Sequence, residues 1–160
     1  INPLNFYALS KATVDYWVLD HMDEFEQVQG FRYFNVYGDG EEHKGDQASP
    51  ISKFTKQARE TKVIKIFEDS EYAFRDFVCV DDVVDVVLDN TAGSGIYDVG
   101  TGNPISFQEV AELIAKKEGA EIEVIPFPKH LEGKYQEYTC ADNSWYQHDY
   151  TTVSSYMGIS

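Results

Sequence analysis

Tyr7 and Lys11 stand four positions apart in Tyr7-Ala8-Leu9-Ser10-Lys11. On a helix the two side chains share a face, one turn apart. An ammonium beside a phenol favours the phenolate. The pair could therefore take a proton from a substrate hydroxyl and give it back. Asn35 closes a strand-like run, Gly30 to Gly38, and its amide can both donate and accept hydrogen bonds to a sugar or a nicotinamide. Each feature also has a plain structural reading. The Tyr-x-x-x-Lys fits a helix with the tyrosine packed and the lysine solvated, and Asn35 fits a turn-forming residue. What surrounds them decides.

The elements that would position these groups follow from apolar periodicity and breakers. Leu9, Val14, Trp17, Val18 and Met22 form a helical stripe over 7–23. Residues 27–37 are aromatic and β-branched and read as a strand ending at Gly38-Asp39-Gly40. Ser49-Pro50 opens a helix to about Arg59. Short strands are expected over 63–67, 77–80, 95–99 and 121–125. Val83 to Leu88 fits either helix or strand; the preceding Asp81 and Asp82 decide for helix. Ser106-Phe107-Gln108-Glu109 is a capping box for a helix ending at Gly119. Past Tyr135 the pattern gives no assignment. The alternation predicts an α/β fold with parallel pairing.

Composition narrows the partners. The chain has 160 residues, is 42% hydrophobic and 14% aromatic, and so can bury a core. A net charge of −15 argues against nucleic acid or an anionic membrane as partner. It leaves room for a small anionic ligand held by local lysines and arginines. Cys79 and Cys140 form no Cys-x-x-Cys, and Cys79 sits in an apolar run, so free thiols and a cytoplasmic setting are expected. No metal site is expected, since no His or Cys stands at ligand spacing. No run reaches membrane-spanning length. The chain opens on Ile1 at the entry to a helix, which we read as a start further upstream. Gly100-Thr101-Gly102 lies between strand and helix but lacks the third glycine, with Ile105 in its place, and reads as a tight turn.

Arg32-Tyr33-Phe34-Asn35-Val36-Tyr37-Gly38 after a Tyr-x-x-x-Lys helix resembles the extended short-chain dehydrogenase/reductases that act on nucleotide sugars. Four further motifs narrow the likeness: Glu42-His43-Lys44-Gly45; Phe67-Glu68-Asp69-Ser70 with Arg75-Asp76-Phe77-Val78; Ile125-Pro126-Phe127-Pro128; and Leu131-Glu132-Gly133-Lys134-Tyr135-Gln136. Together they resemble the ADP-heptose 6-epimerase family, which serves lipopolysaccharide core synthesis. The likeness implies a fold made of the C-terminal part of a Rossmann-type doubly wound sheet plus a small α/β substrate-binding lobe. Residues 1–40 would be the last Rossmann elements and 41–160 mainly the lobe, with 77–101 returning to the sheet. It implies NADP, with NAD as the alternative, and inversion by transient oxidation and re-reduction. Tyr7 and Lys44 would be the two acid/base groups, and Lys11 would hold the nicotinamide ribose. Lys11, Val36 and Lys44 would line the cofactor. Asn35, Asp46, Lys53, Phe67, Glu68, Asp69, Ser70, Arg75 and Tyr135 would contact the sugar nucleotide, Arg75 at the diphosphate because its fork matches phosphate oxygens.

Asp46 and Lys53 depart from the family pattern, where a small hydroxyl residue and a His contact substrate. That puts the sugar in doubt more than the reaction. The cofactor-cradling glycine loop is absent from the sequence, so the chain is expected to be the C-terminal half only of such an enzyme. Alone it should bind NADP poorly, turn over nothing, and expose a sheet edge that invites homo-oligomers. Two other readings fit: a UDP- or dTDP-sugar 4-epimerase or 4,6-dehydratase, separable by nucleotide preference, and a non-catalytic sugar-nucleotide-binding module, indifferent to Tyr7→Phe.

Overall fold

The computed structural model describes residues 5–129 and 136–159. Helix α1 spans Phe6–Asp20. Asn5 starts it, its side chain accepting from the Ala8 N–H at 2.8 Å. His21 ends it, its imidazole stacked on Trp17. Strands β1 (Gln29–Tyr33) and β2 (Asn35–Tyr37) form one extended run interrupted at Phe34. Then come α2 (Pro50–Thr61), β3 (Val63–Phe67), β4 (Phe74–Arg75), β5 (Phe77–Cys79) and α3 (Val80–Asp89). The chain continues through β6 (Gly95–Val99), β7 (Ile105–Ser106), α4 (Phe107–Glu118), β8 (Glu121–Ile125) and α5 (Val153–Tyr156).

Among the described residues the strands pair two by two. β1–β6, β2–β5 and β3–β8 are parallel, and β4–β7 is antiparallel. The sequence reading expected part of one doubly wound sheet with a separate lobe, and the structure corrects it. The strands run two to five residues, and the β1–β2 run changes partner at Phe34, whose N–H bonds the Val99 carbonyl. Register at Tyr33↔Val99 and Asn35↔Phe77 thus passes from one pair to the next without a wide sheet.

Two cores follow. Ile51 and Ala58 of α2, Ile64 and Ile66 of β3, and Val110, Ala111 and Ile114 of α4 bury one face of β3–β8. Val78, Val83, Val86 and Val99 form the second, with Phe31, Val36 and Trp145 against it. Residues 80–89 are helical because Asp81 and Asp82 suit the positive end of the dipole while Val83 and Val86 meet the core on one face. Asp76, fully buried, stitches the two halves. Its carboxylate accepts from the N–H and hydroxyl of Thr101 (2.8 and 2.7 Å), from Gly102 N–H and from Ala141 N–H (both 2.9 Å).

The chain past Gln136 is tied down by Val153 and Met157 in the first core and by polar contacts. Trp145 Nε1 donates to Asp98 O at 2.7 Å, and buried Asp82 accepts from His148 Nε2 and Thr151 N–H. Tyr37 donates to Thr151 O, and Tyr156 donates to Asp39 at 2.8 Å. Burial and then the Asp39 bond push Tyr156 up from 10.0 to about 12.

Two outcomes are expected. Asp76→Asn places an NH2 group against backbone donors and should lower unfolding free energy by about 2–4 kcal/mol in urea titrations. Tyr156 has a raised folded pKa, so its contribution is present below pH 10 and is lost as pH rises toward 12. Melting temperature should fall across that window, and less steeply in Tyr156→Phe.

Candidate functional site

A cleft of about 580 Å³ opens where α2, the end of β3 and the start of α4 meet. Its walls are Lys53, Phe54 and Gln57 from α2, Lys65 to Ser70, Phe107, Phe127 and Glu137. Local sequence builds it. Pro50 fixes the first turn of α2, and Ser49 caps it. Asp69 takes the left-handed conformation at φ 62°, which short polar side chains tolerate, and turns the chain sharply after β3. The Ser70 hydroxyl then donates to the Phe67 carbonyl, locking Phe67–Ser70 as a unit. Phe67 and Phe127 meet edge to face with centroids 5.6 Å apart. Apolar rings with Lys53, Lys65, Glu68, Asp69 and Gln57 around them suit a flat base carrying a polar sugar.

The other expected residues fall elsewhere. Tyr7 and Lys11 do share a face of α1, with the Lys11 ammonium 5.4 Å from the Tyr7 ring centroid and Tyr7 72% exposed. Neither residue lines the cleft. Around the pair Phe6, Leu9, Val14, Trp17 and Leu19 are exposed, on a helix apolar on every side. Lys44 sits in a 3₁₀ stretch, Glu42–Gln47, kinked at Gly45 (φ 53°), with Nζ 3.4 Å from Glu41 Oε1. Asp46 is exposed in the same stretch. Asn35 is tied by its backbone N–H to Asp76 O, and Val36 packs in the second core. Arg75 is buried, its guanidinium donating to Phe74 O at 2.8 Å and to Gln136 O, and lying over the Phe107 ring. Tyr135 lies outside the described residues, as does the 131–135 part of its motif.

The sequence reading missed Phe54, Gln57, Phe107, Phe127 and Glu137. Phe127 lay in a quoted motif, and Phe107 in the capping box, but both read as structural positions. The Gly100–Gly102 turn is no phosphate cradle. Its Thr101 and Gly102 amides already serve Asp76, and a Cβ at Gly100 would meet Ala141 and Asp76 at 2.7 and 2.8 Å. For a dinucleotide, the donor set that fits is Tyr7 with Lys11, a phenol and an ammonium on one exposed helix face. Burial pushes the Cys79 thiol up, which marks it as an inert core residue.

The chain is thus of the α/β class, with an aromatic cleft at a strand end and a Tyr–Lys pair on a helix. The family model described as "NAD dependent epimerase/dehydratase family" matches residues 1–100, and the chain belongs to that family. It is 45% identical over 152 residues to an ADP-L-glycero-D-manno-heptose-6-epimerase of Alkalilimnicola ehrlichii, covering 89% of this chain and 48% of that protein. The solved ADP-L-glycero-D-manno-heptose-6-epimerase of Helicobacter pylori superposes with a TM-score of 0.81 at 28% identity, over 98% of this chain and 50% of the other. UDP-glucose 4-epimerase of Thermotoga maritima, solved with UDP-glucose, gives 0.71 at 25%, over 96% and 47%. The chain therefore spans about half the length of the relatives it matches. The expectation of a C-terminal half made of part of a sheet plus a lobe is corrected here. The likeness runs along 89–98% of this chain as one α/β unit of Rossmann type. Among the described residues no helix is long and apolar enough to cross a membrane.

Arg75→Lys keeps the charge but loses the fork that reaches two carbonyls. We expect a stability loss of about 1–3 kcal/mol in urea titrations, with faster amide exchange across β4–β7.

Proposed function

We propose that this chain is the sugar-nucleotide-binding and acid/base portion of a nucleotide-sugar epimerase, with an ADP-linked heptose inverted at C6 as substrate. The observation that carries the reading is a coincidence of two facts. The motif Phe67–Ser70 forms the turn of the aromatic cleft, and the chain that carries it is 45% identical to a protein of that name. The base would pack against the Phe67–Phe127 pair, with Ser70 and Glu68 toward the ribose. Lys53, Asp46 and Asn35 would lie along the path to the sugar. Tyr135, beyond the described residues, would complete the nucleotide contacts, and Arg75 would reach the diphosphate only by exchanging its bonds to the Phe74 and Gln136 carbonyls, with residues from 41 onward supplying most of the substrate side.

Bound NADP, or NAD, would supply the acceptor and donor of hydride. The chain's own residues would move the proton. Tyr7 Oη takes the hydroxyl proton as the sugar carbon is oxidised, with the Lys11 ammonium 5.4 Å from its ring centroid. Lys44 Nζ gives a proton to the same oxygen when the carbon is re-reduced from its other face. Tyr7 then holds one proton more and Lys44 one fewer, and exchange with water or a reverse turnover restores both. Val36 would back the nicotinamide. Self-association belongs to the same reading, supported by the uncovered apolar sides of α1.

The test is calorimetric titration of this chain with ADP and with UDP. ADP should bind and UDP should bind at least tenfold more weakly. Phe127→Ala should cost about tenfold or more in ADP affinity, while Tyr7→Phe should leave it unchanged. Preference for UDP would move the reading to a UDP-sugar 4-epimerase, in line with the second solved relative. Binding of neither would contradict it.

A further inference from the structure

Glu41 is a buried carboxylate, 6% exposed, in a chain whose acidic residues otherwise mostly face solvent. It belongs to no group named above, yet three donors converge on it. The Ser49 N–H reaches Oε1 at 2.9 Å, the Ser49 hydroxyl reaches Oε2 at 2.5 Å, and Lys44 Nζ lies 3.4 Å from Oε1. Ser49 is itself fixed, because its Oγ accepts from the Ser52 N–H and caps α2. A line of contacts thus runs from the N-terminus of α2 through Ser49 and Glu41 to the Lys44 ammonium. The backbone repeats it: Lys44 N–H donates to Glu41 O at 2.9 Å, which folds the segment back on itself. Lys44 stands on a kink at Gly45 and is 44% exposed, so without an anchor its four-carbon stem would sample many rotamers. Burying a carboxylate costs free energy unless it is bonded. Capping α2 needs only the Ser49 hydroxyl, so it gives no reason for a carboxylate to be buried here.

We propose that Glu41 is a positioning residue that holds the Lys44 ammonium at one place, so that the proton it carries is within reach of the sugar's carbonyl oxygen when the carbon is re-reduced. The functional half of this statement rests on the acid/base reading of Lys44. The geometric half stands without it. Proton delivery to a carbonyl oxygen is steep in distance, so a wandering donor would be out of reach when hydride returns to the carbon, and re-reduction would slow.

The experiment observes Lys44 itself. In uniformly labelled full chain, the order parameter of the Lys44 Cε–Nζ bond should exceed that of a solvated lysine such as Lys116. In Glu41→Gln it should fall to the Lys116 level. The glutamine oxygen still accepts one of the two Ser49 donations and the Ser49 hydroxyl still caps α2, so α2 amide shifts should be retained and ADP affinity should stay within twofold. A role confined to capping α2 would leave Lys44 order untouched in Glu41→Gln and would overturn the proposal. Lys44 as mobile as Lys116 in the unmodified chain would overturn it before any variant is made, so a variant that failed to fold would not remove the test. In whatever assembly supports epimerisation, Glu41→Gln should lower kcat about tenfold or more with KM within twofold, and Glu41→Asp should restore part of it. An ordered Lys44 whose replacement by Ala leaves epimerisation intact would overturn the acid/base reading, not the anchor.

Discussion

One buried carboxylate makes the short strands of this chain into a single fold. Asp76 gathers the amides of Thr101, Gly102 and Ala141 and the Thr101 hydroxyl, while its own carbonyl accepts from Asn35. It thereby joins β2, the β4–β5 junction, the turn after β6 and the chain past Gln136. None of these strand pairs would hold alone, since two strands without further packing are marginal in water. The carboxylate supplies what a wide sheet would otherwise provide, a common point to which several backbone segments are satisfied at once. It also takes up the Thr101 and Gly102 amides, which are therefore not free to cradle a phosphate.

The same logic explains the division of labour across the molecule. The apolar cores sit under β3–β8 and under β2–β5–β6, and the polar anchors lie between and around them. The cleft forms at the C-terminal end of β3, where parallel pairing ends and Asp69 turns the chain, the place where ligands bind in folds of this type. Cations are placed one by one in an acidic chain: Lys11 over a ring, Lys44 on Glu41, Arg75 on carbonyls. Each has a local partner within the chain.

Much of this was legible in the residues. The strands 63–67, 95–99 and 121–125 and the capped helix ending at Gly119 stand where alternation and capping chemistry put them. The Val-rich segment folded as a helix because its acidic first turn outweighed β-branching. The two-residue pairing of β4 with β7 was not legible, since two residues carry no period. Nor was the path of the chain past Gln136, which depends on long-range bonds from Trp145, His148 and Thr151. Of the residues that line the cleft, Phe67–Ser70 were named through a motif and Lys53 as a departure from the family pattern. Phe54, Phe107 and Phe127 were missed because an aromatic that lines a cleft and one that fills a core look alike in sequence. Glu41 was missed for a related reason: a glutamate in a polar loop gives no sign that it will be buried.

The measurement that reaches the central claim most directly is a map of amide shift changes when ADP is added to isotopically labelled chain. The account predicts changes concentrated at Phe67–Ala73, the first turn of α4 and Phe127, with α3 and β6 silent. Changes centred on Gly100–Gly102 or on α1, with the cleft silent, would contradict it.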